Sequence, residues 1–81
     1  MTLDQAIAEL TRRISAASSG SVVRVTRVSA EEARIRAYAP TADEHAIKAA
    51  TQDLAFQLLT GEGLDVQVLV YDITTSLPPD G

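Results

Sequence analysis

The chain has 81 residues, 46% of them apolar and 22% charged, with no Cys and a net charge of −4 at pH 7. That length holds one domain at most, the lack of Cys excludes disulfides and thiolate metal ligands, and the apolar-to-charged balance is that of a folded chain rather than a disordered one. No apolar run reaches the ~18 residues of a membrane helix and no basic-then-apolar leader opens the chain, so a soluble, cytoplasmic protein is expected, and its acidity argues against a general nucleic-acid binder though not against a local basic patch.

The first element reads as an amphipathic helix. Thr2 and Gln5 have capping-box spacing, in which each side chain satisfies a backbone donor left free at the helix start. Leu3, Ile7, Leu10, Ile14 and Ala17 then recur at steps of four and three and share one stripe. Asp4 suits the positive end of the helix dipole, and Ser18-Ser19-Gly20 stops the helix, with Gly20 able to adopt a left-handed cap.

A strand follows over about residues 21–28, where Val23 and Val25 point one way and Arg24 and Thr26 the other. The polar connection Ser29–Glu32 is of hairpin length. A second strand runs from about Ala33 to Ala39, with Ile35, Ala37 and Ala39 on one face and Arg34, Arg36 and Tyr38 on the other. Pro40, which lacks a backbone donor, closes it.

Thr41 and Glu44 repeat the capping-box spacing and open a second helix, roughly 42–60. Ile47, Ala50, Thr51, Leu54 and Leu58 cluster on one side of it, whereas Phe56 falls almost opposite Ile47. A bent helix end, cover from Leu77 and Pro78, or a second contact point that would permit a ring of copies each account for Phe56. Gly61 and Gly63 offer caps. The third strand spans about 64–73, with Leu64, Val66, Val68 and Val70 in one row and Gln67, Leu69, Tyr71 and Ile73 in the other. Residues 74–81, with Pro78-Pro79 and no periodicity, are expected to form a flexible tail.

The order helix, strand, strand, helix, strand implies a single α+β domain over residues 1–73. It is a two-layer αββαβ sandwich: a three-stranded mixed sheet with both helices on one face. The simplest strand order is 2-1-3, with the first strand in the middle and antiparallel to both neighbours. The helices then cover Val23, Val25, Ile35, Ala37, Val66 and Val68. The other face carries Arg24, Thr26, Arg34, Arg36, Tyr38, Gln67, Leu69, Tyr71 and Ile73. Four of the seven basic residues (Arg24, Arg27, Arg34, Arg36) fall within thirteen residues, and the rest of the chain holds three bases and nine acids.

Two readings of that open face compete. Antiparallel sheets routinely show a polar face to water. Yet Leu69, Tyr71 and Ile73 are consecutive on it, and contiguous exposed apolar area together with Tyr and Arg marks interfaces. Arg24, Arg34, Arg36, Tyr38, Leu69, Tyr71 and Ile73 are therefore the candidate partner-binding residues. The partner is a second copy of the chain, as a dimer, or another protein. Nucleic acid, stacked on Tyr and held by Arg, is the rival.

Catalytic and metal-binding constellations are not legible. His45 stands alone beside Glu44 at the start of an exposed helix face, nothing activates a particular Ser, and Asp43, Glu44 and Asp53 are spaced as solvated helix charges. Gly61-Glu62-Gly63 precedes a strand, whereas phosphate-binding loops follow one. No enzyme activity, cofactor or metal is expected.

Two family resemblances follow from these elements. The helix with Ile7, Leu10 and Ile14, the strand around Val23 and Val25, the Ala33–Ala39 strand running into Thr41-Ala42-Asp43-Glu44 and the closing valine strand together resemble a BON domain. That resemblance implies attachment to a membrane or a protein. The chain departs from it in carrying Tyr38-Ala39 where such modules have a glycine. The strand with Arg24 and Arg27, the Ala33–Ala39 strand and Val68-Leu69-Val70-Tyr71-Asp72 are also similar to KH-like ribosome-binding proteins. This second resemblance implies RNA contact, through Arg24, Arg34 and Arg36, beside a helix kink whose only candidate here is Ala55-Phe56.

Overall fold

Helix α1, Leu3–Ala17, begins where its capping signal stands. The Thr2 hydroxyl accepts from the Gln5 amide at 3.1 Å while the Gln5 side chain accepts from the Thr2 amide at 2.9 Å, so two of the orphan donors at the helix start are satisfied reciprocally. The helix ends differently from expectation. Gly20 has no positive φ, and the stop is made by Ser18 in extended geometry, its amide bonded to the Ile14 carbonyl. Ser18 is buried, and its hydroxyl donates to the Asp43 carboxylate at 2.7 Å, tying the end of one helix to the start of the other.

The chain is described by a computed structural model over residues 1–76. After α1 come β1 (Val22–Arg27), β2 (Glu32–Ala39), a short 3-10 turn at Thr41–Asp43, helix α2 (Glu44–Gln57), a π-helical turn at Leu58–Glu62, and β3 (Asp65–Asp72). The second capping box does not form. Thr41 sits in the 3-10 turn, where the Asp43 amide is taken by the Pro40 carbonyl at 2.9 Å, and α2 starts with no side-chain cap. At the far end Gly63 supplies the left-handed turn, φ 68°, that a Cβ would disfavour.

The three strands form one mixed sheet in the order β1-β2-β3, which corrects the expected order 2-1-3. β2 is central, antiparallel to β1 and parallel to β3. The reason lies in the crossover: β2, α2 and β3 make a βαβ unit, which sets β3 parallel and adjacent to the strand it left. β2 is also the strand suited to the middle, because Ala33, Ile35, Ala37 and Ala39 are fully buried and its alanines let the helices approach closely.

Both helices lie on one side, α1 over β2 and α2 over β3. The core joins Leu10, Ile14, Ile47 and Leu58 of the helical segments to Ile35, Ala37 and Val66 of the sheet. At roughly 25 cal/mol per Å² of apolar surface buried, this one layer of contact supplies most of the driving force for folding. Of the expected tail, residues Thr74–Ser76 form a turn held by Asp72: the amides of Thr75 and Ser76 reach its carbonyl, and the Thr74 amide and hydroxyl reach its carboxylate. These bonds from Thr74, with a further one from the Thr41 hydroxyl, hold the Asp72 carboxyl below the ordinary carboxylate range. The remainder of the tail, including the suggested cover of Phe56 by Leu77 and Pro78, lies outside the described residues.

Candidate functional site: an open sheet face rich in arginine

The strand register brings the expected residues together in rows. Val22, Tyr38 and Tyr71 align across the sheet, then Arg24, Arg36 and Leu69, then Thr26, Arg34 and Gln67, and at the end Glu32 beside Asp65. Because side chains alternate across a strand, all of these stand on the face away from the helices. Among the described residues no second layer covers that face: the molecule is only 15 Å across its thinnest axis, the depth of one sheet and one helix layer.

The arginines on this face differ from the other bases in one respect. Arg12 and Arg13 pair with Glu9, Arg27 with Asp4, and Lys48 with Glu44. The Arg12 guanidinium accordingly holds the Glu9 carboxyl below its usual range. Arg24, Arg34 and Arg36 make no ion pair with any described acid. Arg36 reaches only the Thr26 hydroxyl, at 3.4 Å, and its Nε is buried without a hydrogen-bond partner. Arg24 reaches only the Val23 carbonyl. Moreover, Arg24 and Arg36 are direct cross-strand partners, an arrangement of like charges that costs stability.

The aromatic pair is asymmetric. Tyr38 and Tyr71 stack with ring centroids 5.3 Å apart and planes 23° from parallel. Tyr71 is 37% exposed, but Tyr38 is only 6% exposed. Tyr38, expected as a contact residue, is therefore a support beneath Tyr71, because the central strand lies between neighbours on both sides. Leu69 is half-buried. Ile73, expected to extend the apolar row, falls beyond β3 in the following turn, half-buried, with its amide bonded to the Ala39 carbonyl. Arg24, Arg34, Arg36, Leu69 and Tyr71 thus form the surface that remains.

A second feature lies around the edge of β3. An open groove of about 610 Å³ runs between α2 and β3, walled by Ala55, Phe56 and Leu59 together with Lys48 and Gln52, floored by Val66 and Val68, and reaching Leu69 at the strand edge. Phe56 is 67% exposed and Leu59 52% exposed. The off-stripe position of Phe56 was the legible signal of this groove. Leu59 gave no signal of its own, because the π-helical turn that positions it breaks the 3.6-residue period.

As for chemistry, no group of three or more His, Asp or Glu side chains gathers among the described residues, and His45 is an exposed residue at the start of α2. No described helix is long and apolar enough to cross a membrane. Comparison with known proteins found no matching family model, no matching curated protein and no matching solved structure.

Proposed function

We propose that the protein is a non-catalytic interaction module whose open sheet face docks a protein partner bearing carboxylates. The observation that carries this reading is the set of three arginines on one face uncovered among the described residues, two of them opposed across the sheet, with no described acid paired to any of them. Keeping like charges opposed costs stability, and local rules are broken in this way mainly where function demands it. Guanidinium groups bind carboxylates in a planar fork. Tyr71 and Leu69 add the apolar contact that interface centres use.

Self-association through this face is less well supported. A twofold pairing sets the same patch against itself, and that patch holds three arginines against two acids, Glu32 and Asp65, both at one end, so its charges do not balance. RNA has the right sign of charge for the arginines. However, single strands are held by successive aromatic stacking platforms, and among the described residues the only aromatic ring exposed on that face is Tyr71.

A fluorescently labelled poly-Glu peptide and a single-stranded polyuridine oligonucleotide, titrated separately, distinguish these readings. Binding of the peptide is expected, weakened about tenfold or more in Arg34→Ala/Arg36→Ala, since a hydrogen bond to a charged group contributes roughly 1.5–3 kcal/mol. Polyuridine bound in preference, with the steep salt dependence of counterion release, would overturn the proposal in favour of RNA.

A further inference from the structure

We infer that the outer edge of β3, unpaired among the described residues, takes up an extended segment of the partner as a fourth strand, one whose side chains alternate between apolar and acidic. This inference rests on the reading of the open face as the partner's docking surface and specifies how the partner lies on it.

The backbone of β3 is half used. Asp65 donates to the Glu31 carbonyl and Ile73 to the Ala39 carbonyl, so the odd-numbered residues between them turn their polar groups toward β2. Alternation then points the N–H and C=O of Val66, Val68 and Val70 away from the sheet. Exposed edges are normally blunted by Lys, Pro or a bulge. Between Asp65 and Asp72 this edge has none of these, and its acids stand only at the two ends. β1, the other edge, carries arginine on both faces, Arg24 and Arg27, and is a poorer template.

The groove above the edge states which side chains an added strand needs. On the helix side the groove offers Ala55, Phe56 and Leu59 beside the polar Lys48, Thr51 and Gln52, so the side chains set against its apolar part are apolar. On the open side they would stand beside Gln67 and Leu69, in the rows that contain Arg34 and Arg36. Neither arginine pairs with a described acid, so charge complementarity makes those side chains acidic. Leu69 lines the groove at the edge of β3, while its side chain stands on the open face in the row of Arg36, so the groove and the arginine face adjoin along that strand.

A second copy of this chain does not fit as the added strand through its own β3. Its α2 lies over its β3, and neighbouring strands sit about 4.8 Å apart, whereas packed helices need 8–10 Å. The occupant is a strand without a helix above it, the mode in which main-chain bonds provide affinity and alternate side chains provide specificity.

The test uses the full chain and a labelled peptide of alternating Val and Glu, about eight residues long, a common strand length. Its control alternates Val and Lys. Saturable binding of the Val–Glu peptide is expected, weakened at least about tenfold, roughly 1.4 kcal/mol, in both Val68→Pro and Phe56→Asp. The proline removes an outward-facing donor, which edge strands tolerate, but also the Val68 side chain packed against the core, so its fold is checked by circular dichroism; Phe56 is 67% exposed, and Phe56→Asp carries the test without touching the core. Equal binding by Phe56→Asp and the unaltered chain would overturn the strand addition. So would failure to bind the Val–Glu peptide where poly-Glu still binds, with the open-face reading left standing. Equal binding of the Val–Lys peptide would instead overturn the open-face reading itself.

Discussion

Arg24 and Arg36 illustrate how a single position separates stability from function. They are direct partners across β1 and β2 with no intervening acid, so replacing one by a neutral strand former should relieve repulsion. Arg24→Thr is expected to leave stability unchanged or raise it by a few tenths of a kcal/mol while weakening capture of poly-Glu. A denaturant melt beside the peptide titration checks both halves, and a clear loss of stability would show that Arg24 holds the fold instead. The facing of these arginines was legible from alternation alone, because a strand side chain's face depends only on parity. The burial of Tyr38 was not, since it depends on what the two neighbouring strands place beside it. Its equivalence with Tyr71 in the sequence row conceals a support and a contact.

At the scale of elements, identical signals had different outcomes for identifiable reasons. Thr2 and Gln5 form their capping box because the chain arrives extended, with ψ 165° at Thr2. Thr41 and Glu44 do not, because the 3-10 turn after Pro40 takes the first donor and the Asp43 carboxylate is engaged by Ser18 from α1. Thr2→Ala is therefore expected to cost about 1 kcal/mol, read as a lower denaturation midpoint. No change would mean that the cap is redundant with the packing of Leu3 and Ile7. Every helix and strand was legible in the hydrophobic periods, to within a few residues at the ends. The strand order was not. Both orders present the same residues to the helices, and the choice between them is made by pairing distant in sequence, through the parallel contact of Ala33–Ala39 with Val66–Asp72. The candidate face survived that error because moving a strand sideways in a sheet does not turn it over.

For the whole molecule, one helix layer on one sheet produces two unlike sides. The helix side uses its bases locally, in pairs with Glu9, Asp4 and Glu44. The sheet side holds three bases that pair with no described acid, in a chain whose net charge is −4. On the proposed reading, such segregation would steer an acidic partner toward one side and lessen its approach to the other. Of the groove beside β3, the sequence showed only the off-stripe Phe56; the strand edge and the rest of the groove arise from where α2 comes to rest and from the π-helical turn that carries Leu59. The claim on which everything here depends is that carboxylates are recognised by the uncovered face. The most direct measurement is a heteronuclear NMR titration of the labelled protein with poly-Glu peptide, following the arginine Nε–Hε signals and the backbone amides. The account predicts shifts at Arg24, Arg34, Arg36 and the amides of Leu69 and Tyr71, with the signals of Arg12 and Arg13 unmoved. Shifts confined to α1 and α2, or none at saturating peptide, would contradict it.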